Sequence, residues 1–565
     1  MDSVIKRSLD RIQPRHAMDR KVTATFIAIA MAAVFLSANT ILAATSRSSS
    51  PRTWSGAEEI HGLAPLNPDG FTGVNSISCA TAGNCSAVGS YPTSGNPSQP
   101  RNQGFVLDES NGIWGNAHKV PGLSSLSSGL NAEIWWISCA AVGDCAAGGF
   151  YTDASRAEQG FVVDETAGVW GSAHAVPGLG VLNVGGSAIV RSISCGAVGD
   201  CAAVGTYTDS HGTSQGFVVD ESGGTWGTAE AVPGLSALSA GRGTEVQAVS
   251  CAAAGSCAAG GTYDNAAGVP QGFVVDESEG TWDTAQAIPV ATFKTNASSF
   301  AVSISCGAVG DCVAGGNYTD SHSVSQVFHM DQSNGTWGKV QVVHGLGALD
   351  VGNNETNVTV SCAAAGACAL AGQADVPFVV DESGGSWGKA TTLPGLGALS
   401  PGRYATMQSV SCGAAGSCAA VGYYDEGRGG TQGFVVDQSG GIWGRAQAIR
   451  PLGPPKLGGV AIVGLVSCAP GGCAAAGYYD TVGGTATTGF VTSEPSTPPF
   501  YCSPSAGLTA TVASHQQSDG SVYYRIVYTN RSAFGCELAG IPGALGYSTK
   551  RHVPVGPPAG RSLVL

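Results

Sequence analysis

The residue types in this chain that could do chemistry are eighteen cysteines, a repeated acidic turn and ten histidines. Sixteen of the cysteines fall into eight local pairs: Cys79/Cys85, Cys139/Cys145, Cys195/Cys201, Cys251/Cys257, Cys306/Cys312, Cys362/Cys368, Cys412/Cys418 and Cys468/Cys473. Metal binding and cystine formation are the two readings of such pairs. Structural zinc usually takes cysteines two to four residues apart with a second pair from elsewhere, and eight identical zinc sites would be an odd use of metal. Two cysteines flanking a five-residue hairpin loop instead sit opposite each other across an antiparallel pair, where a Cα separation of about 5.5 Å suits a cystine. The pairs are therefore read as disulfides, each closing a short loop and contributing about 2 to 3 kcal/mol. No metal and no cofactor is expected.

The second constellation is Asp-Glu/Gln-Ser/Thr-x-Gly-x-Trp, beginning at Asp108, Asp164, Asp220, Asp276, Asp331, Asp381 and Asp437. Its acids invite a catalytic or calcium role. Seven copies favour a scaffold role: Asp and Ser folding back on the turn backbone, Gly taking the positive-φ position and Trp packing between repeats. Asp153, Asp209 and Asp320, in Tyr-Thr-Asp elements, are expected to open a loop in each repeat. There is no GxSxG, HExxH or P-loop, and His118 and His174 recur at one position of the repeat, as structural residues do. No catalytic residue is assigned. A glycosidase-like pair of carboxylates is a spatial feature that a linear reading does not reveal.

The elements carrying these residues repeat. First cysteines of successive pairs lie 60, 56, 56, 55, 56, 50 and 56 residues apart. Residues 192–235 read SISCGAVGDCAAVGTYTDSHGTSQGFVVDESGGTWGTAEAVPGL, with strand signals at SISC, CAAVGTY, QGFVVD and TWGTAEAV separated by turn residues. Four short antiparallel strands per unit describe one blade of a propeller. The chain begins with an unmatched Trp54 strand, and its last unit, from Cys468 through GFVTSEP, lacks a Trp strand. Pairing the two ends completes an eighth blade and removes two exposed sheet edges. The expected fold is an all-β, eight-bladed β-propeller of four-stranded blades over residues 45–496, with the N-terminal strand closing the last blade.

Residues 1–21 are basic, with Lys6, Arg7, Arg11, Arg15, Arg20 and Lys21, and residues 22–44 are weakly polar and end in small residues. That order reads as a secretory signal, and 23 residues also suffice for an uncleaved N-terminal membrane anchor. Both readings place the chain outside the cytoplasm, secreted or associated with the cell envelope, where cystines persist. Residues 1–44 hold six of the basic and three of the acidic residues, leaving 20 against 37, a formal charge of −17. A surface of that sign disfavours nucleic acid. A monomer is expected.

The Asp…Gly…Trp turn is similar to the Asp-box of sialidase-like folds and to the tryptophan-docking motif of eight-bladed quinoprotein dehydrogenases. Its spacing departs from both, as Gly335 and Trp337 are only two apart. The pattern SCxxxGxCxAxGxY…QGFVVDE…GxWG resembles repeats of exported actinobacterial proteins without assigned function. After a linker at residues 497–501, residues 502–565 lack the repeat. The run from Cys502 to Gly546, with its Tyr-Thr-Asn-x-Ser and Cys-x-Leu-x-Gly-x-Pro-Gly elements, resembles the actinobacterial domain of unknown function 4232. The resemblance implies a small β-sandwich, here a partial copy, with Cys502 paired to Cys536.

If the repeats are copies of one scaffold, a site lies where they disagree. The residue four before the first cysteine runs Asn75, Trp135, Arg191, Gln247, Val302, Val358, Gln408 and Gly464. It falls in the innermost strand near one mouth of the channel, beside the longest connections. Trp135, Trp136, Arg191, Arg403 and Tyr404 are the candidate ligand contacts, because aromatics with Arg anchor interfaces and stack on sugars. The bland alternative is that Trp136 fills space between blades. The leading expectation is a non-catalytic binding or scaffold propeller at the cell envelope, recognising protein or glycan through loops on one face. A polysaccharide-active hydrolase or lyase with its site at the channel mouth, and a purely structural envelope protein, are the alternatives.

Overall fold

The computed structural model describes residues 54–494 apart from 64–65, 67–71, 94–100, 290–298, 320–323, 350–355, 402–403, 427–429, 450–458 and 481–486. Beyond them it describes only 508–518, 521–530, 546–547 and 554–555. Residues 1–44, the linker, Cys502, Cys536, Asp320 and Arg403 lie outside the described residues. No helix among the described residues is long and apolar enough to cross a membrane.

Blade 3 shows the build. Ala188–Ala197, Asp200–Thr208 and Ser214–Ser222 pair antiparallel in chain order. The third strand is buried on both faces, Phe217, Val218 and Val219 being at most 1% exposed, which suits an unbroken apolar run more than an alternating one. Gly205, on the second strand, has no room for a side chain: a Cβ there would lie 2.0 Å from the Ile189 carbonyl oxygen and 2.9 Å from the Phe217 ring. Hairpin residues Gly199 and Gly224 both take positive φ, and the Gly224 N–H reaches the Gly199 carbonyl at 2.9 Å.

The fourth row differs from the single strand expected from TWGTAEAV. It is two pieces, Thr225–Trp226 and Glu230–Ala231, both paired with the third strand. Between them the chain leaves the ladder: the Gly227 N–H turns back to the Asp220 carbonyl, and the Ala229 N–H goes to the Pro177 carbonyl in the connection before the blade. The same division recurs in blades 1 to 7.

Blade 8 is completed as expected. Its sheet runs Glu58–Glu59, Thr487–Ser493, Gly472–Asp480, Ala461–Ala469, with Glu58 opposite Val491. First strands of neighbouring blades lie against each other around the whole ring, so they are innermost. The apolar core lies between blades: Ala146 and Val162 of blade 2 pack with Val190, Ile193, Ala203, Phe217, Val219 and Trp226 of blade 3.

Two belts of hydrogen bonds tie the blades together. In the inner belt each first-strand Cys donates its N–H to the serine hydroxyl before the Cys of the preceding blade, as Cys195 does to Ser138 at 3.0 Å. The belt has eight members and closes with Cys79 on Ser467 at 2.9 Å. All eight cysteine pairs are bridged. Their Cα atoms are 3.9 to 4.0 Å apart, so the bridges occupy the narrow, non-hydrogen-bonded kind of pair instead of the wide kind expected from the spacing. The Cys N–H consequently points out of its own ladder, free to reach the next blade.

The bridged cysteines also differ in where they lie, which their spacing does not reveal. The second-strand members, Cys85, Cys145, Cys201, Cys257, Cys312, Cys368, Cys418 and Cys473, are only 3 to 6% exposed. Each belongs to a different one of the eight apolar clusters between blades. Sulfur in a cystine is apolar and packs as a core atom does. Cys85, Cys368, Cys418 and Cys473, at 3 to 5%, are thus core residues, whereas Cys145 and Cys312, at 5 and 4%, also line cavities between blades. Most of the first-strand members are only partly buried, with Cys412 at 8% the most enclosed among them.

The outer belt corrects the reading of the acidic turns. The Asp does not fold back on its own turn: its carboxylate accepts the indole N–H of the next blade's Trp. Trp226 donates to Asp164 at 3.0 Å, and the series includes Trp170 on Asp108, Trp282 on Asp220, Trp337 on Asp276, Trp387 on Asp331 and Trp443 on Asp381. Trp54 on Asp437, at 2.9 Å, carries the belt across the closure. In blade 8 the Asp position is Ser493, whose hydroxyl accepts from Trp114 at 3.1 Å.

Towards the C-terminus, Leu508–Ser518 pairs with Ser521–Asn530, and Gly546–Tyr547 with Pro554–Val555.

Candidate functional site

The position at which the copies disagree coincides with a break in pairing. In blade 3, Val190 faces Gly205 and Ser192 faces Val204, so Arg191 is the extra residue of a β-bulge. Asn75, Trp135, Gln247, Val302, Gln408 and Gly464 occupy the same bulge, and in blade 6 it spans 357–358. A bulge frees a side chain from the alternation of its strand and re-aims it. The innermost strand therefore tolerates a different residue in each blade at this position, with regular pairing resuming on either side.

What each side chain does differs. The Asn75 amide donates to the Ser90 hydroxyl at 3.1 Å and the Ile134 carbonyl at 2.7 Å, joining blades 1 and 2. Trp135 meets Phe150 edge-on at 5.2 Å, and its indole N–H is held by Glu133 at 3.0 Å. Glu133 is itself held by Asn102 at 2.7 Å. Arg191 donates to the Thr206 hydroxyl at 3.5 Å. Val358 is buried, and a Cβ at Gly464 would meet nothing within 4 Å.

Trp136, beside the bulge and opposite Gly148, is 39% exposed, so Trp135 is the packed member of the pair and Trp136 the presented one. Tyr404 is 59% exposed while its carbonyl accepts the Asp425 N–H at 2.9 Å and the Ser400 hydroxyl at 3.2 Å. Tyr478, 38% exposed, is an aromatic that the linear comparison missed. It lies on the second strand of blade 8, opposite Ile462, and burial followed by Tyr423 and Asp480 pushes its phenol up. Comparing second strands would have exposed it: blades 7 and 8 read GYY where blades 3 and 4 read GTY. Trp136, Tyr404 and Tyr478 thus belong to the consecutive blades 7, 8, 1 and 2, with blade 1 contributing Asn75.

The connections between second and third strands share a face with those that lead to the next blade. Asp153 and Asp209 shape them as expected: the Asp209 carboxylate takes the His211 N–H at 2.8 Å and the Thr213 N–H at 3.0 Å. The backbone N–H of Thr213, foremost, holds that carboxyl below its ordinary range. Asp209, His211, Gln215, Ser236 and Thr244 line a cavity of about 510 Å³ on this face.

The other face carries the acidic turns. Burial pushes Glu165, Glu221 and Glu277 up to about 7, with neighbouring Asp residues adding to it. A raised acid beside a second carboxyl resembles a general-acid pair. Here each pair sits between blades and recurs around the ring, in the way the Trp–Asp bonds recur. The three-residue cluster Cys251, Cys257 and Glu277 has the proximity of a metal site, but its cysteines are joined as a disulfide and offer no thiolate.

No family model matches the chain, and no curated protein matches it. Among solved structures it is similar to the β-propeller domain of the Trilobed protease from Pyrococcus furiosus, at 8% identity over 68% of this chain and 100% of that one, with a TM-score of 0.39. It is similar also to Trypanosoma rangeli sialidase, at 10% identity over 87% and 72%, with a TM-score of 0.34. A protein of unknown function from Dyadobacter fermentans shares 12% identity over 60% and 98%, with a TM-score of 0.33. Likenesses this distant carry no argument about chemistry.

Proposed function

We propose that this chain is an exported, non-catalytic binding propeller of the cell envelope, which recognises a protein or glycan through the channel mouth where the first strands begin. The observation that carries it is the exposure of three aromatics near the bulges of the first strands: Trp136 of blade 2, Tyr404 of blade 7 and Tyr478 of blade 8. Trp and Tyr supply rigid apolar area with a polar handle, which suits sugar rings and protein side chains alike. Its repeat resembles exported actinobacterial proteins, and eight bridges suit an oxidising compartment. The acidic surface argues against nucleic acid, and a monomeric ring leaves the mouth open.

Glycan arrays and envelope pull-downs with the full chain test this reading. Saturable binding without product formation is expected. Trp136→Ala should weaken it about tenfold or more, the scale of an interface anchor, while leaving the thermal midpoint within a few degrees. Turnover of a polysaccharide that is abolished by replacing one carboxylate would overturn the reading in favour of a hydrolase.

A further inference from the structure

The chain enters the propeller at Trp54 and leaves it after Glu494, and both points lie on the face of the acidic turns. Ser493 holds the Asp position of blade 8, the Glu494 N–H reaches the Cys473 carbonyl at 2.7 Å, and Trp114 of blade 1 donates to Ser493. Residues 502–565 are therefore tethered beside blades 8 and 1, on the face opposite the channel mouth. The seven residues 495–501 span up to about 23 Å when extended. Neighbouring sheets pack about 10 Å apart, so that reach takes in blades 1 and 2.

Over blades 1 to 3 this face differs from the rest of the ring. Its hairpin tips carry Ile113, Val142, Val169 and Val198, which are 52 to 69% exposed. The two tips of one blade meet: the Gly168 N–H reaches the Gly143 carbonyl at 2.8 Å, which sets Val142 and Val169 side by side. Between blades 2 and 3 lies a cavity of about 620 Å³ lined by Val169, Val198, Asp144, Asp164, Glu165 and Glu221. None of these four carboxyls pairs with a Lys or Arg among the described residues. Two places after the Trp, where Ser172 lines the cavity, blades 5, 6 and 7 carry Lys339, Lys389 and Arg445, while blades 1 to 4 carry Asn116, Ser172, Thr228 and Thr284. The acids of blades 1 to 3 thus lack the cation that blades 5 to 7 hold at this position. Val309 and Ile442 are exposed tips in blades 5 and 7, each in a blade with such a cation. Single exposed valines are ordinary, but four on three adjoining blades around an acidic cavity mark a contact surface.

Residues 502–565 have the matching chemistry. They hold Arg525, Arg531, Lys550, Arg551 and Arg561 against Asp519 and Glu537. Leu508–Ser518 and Ser521–Asn530 form a two-stranded sheet that no third strand joins among the described residues. Val522, Tyr524, Ile526 and Tyr528 fall on every second residue of its second strand, a period that gives a strand one apolar face. A lone hairpin is marginal in water and needs a surface to pack on. We infer that residues 502–565 dock on the acidic-turn face of their own chain, over blades 1 to 3, and leave the channel mouth free. A short tether gives the segment an effective concentration in the millimolar range, so a weak, charge-assisted contact suffices. A second copy fits less well, because two acidic faces would meet.

Carboxyl-to-amine cross-linking of the full chain, read by mass spectrometry on mixed labelled and unlabelled protein, tests the inference. Lys550, the one lysine of residues 502–565, should couple within its own chain to acids of blades 1 to 3 such as Asp144 or Asp200. A protease site placed in residues 497–501 gives a second readout on the folded full chain. After cleavage the released segment should co-elute with the propeller at about 50 mM salt and separate at about 1 M, where charges are screened beyond about 3 Å. Val169→Asp with Val198→Asp should abolish co-elution at the lower salt while leaving the thermal midpoint within a few degrees. If that variant fails to fold, the wild-type cross-links and salt dependence decide. Separation of the wild-type segment at the lower salt would overturn the inference. So would couplings of Lys550 to mouth acids such as Glu133 or Glu245, or couplings found only between chains, which would make a second copy the occupant.

Discussion

A chain lacking residues 50–64 should lose its eighth blade and about 5 to 10 kcal/mol of stability. The segment does far more than add two residues to a sheet. Ile60 and Leu63 are 4 and 5% exposed and pack with Val491 of blade 8 and Leu107 of blade 1. Ser55 bonds to Ser493 through both its N–H and its hydroxyl, and its carbonyl accepts the Thr492 hydroxyl. The His61 carbonyl receives the Ala117 N–H of blade 1, and Trp54 reaches Asp437 of blade 7. Three blades therefore lose partners at once. The third strand of blade 8, Thr487–Ser493, would become a bare edge carrying Phe490 and Val491, which invites association between chains. Thermal unfolding, light scattering and limited proteolysis measure the effect. A truncated chain with the parental midpoint and protease resistance would show that the ring closes in some other way.

This closure was legible because it depends on what is missing from the last repeat, a fourth strand, which a linear reading can count. The disulfides were legible for a related reason: their partners lie within one hairpin. That one member of each pair, such as Cys85 or Cys418, is sealed into the core between blades was not, because the neighbouring blade supplies part of the seal. Asp153 and Asp209 were placed correctly, since an Asp bonding to N–H groups two and four residues on is a local event. The turn acids were misplaced because their partners are distant. Asp164 and Trp226 lie 62 residues apart, and nothing near Asp164 distinguishes an Asp that caps its turn from one that reaches the next blade. The broken fourth row depends on the Pro177 carbonyl of a preceding connection, again a partner from outside the unit. At the candidate site the variable position was visible as a position, but its bulge was not. Register is set by both strands of a pair, and the extra residue appears only when Val190 and Ser192 are seen to face neighbouring residues. Tyr478 was missed because the copies were compared along the first strand and not along the second.

Reduction of the eight bridges should lower the thermal midpoint by roughly 10 to 15 °C, whereas a metal chelator should leave it unchanged. Each bridge closes a loop of only a few residues, so its own contribution is near the low end for a disulfide, about 2 kcal/mol. The total is large because the bridges are repeated and because of where they act. Every bridge fixes a first-strand Cys against the second strand, and that same Cys donates its N–H to the serine of the preceding blade, Cys195 to Ser138 and onward to Cys79 on Ser467. Releasing the bridges loosens the strand pair and the inner belt together. Replacing one pair, Cys195→Ala with Cys201→Ala, should cost about 2 to 3 kcal/mol, because the remaining seven stations still hold the ring. Thiol titration of the denatured, unreduced chain provides the chemical check, with no free thiol expected from the sixteen propeller cysteines. A midpoint that falls with chelator and not with reductant would instead make the pairs metal ligands, and the inner belt would have to be rebuilt around thiolates.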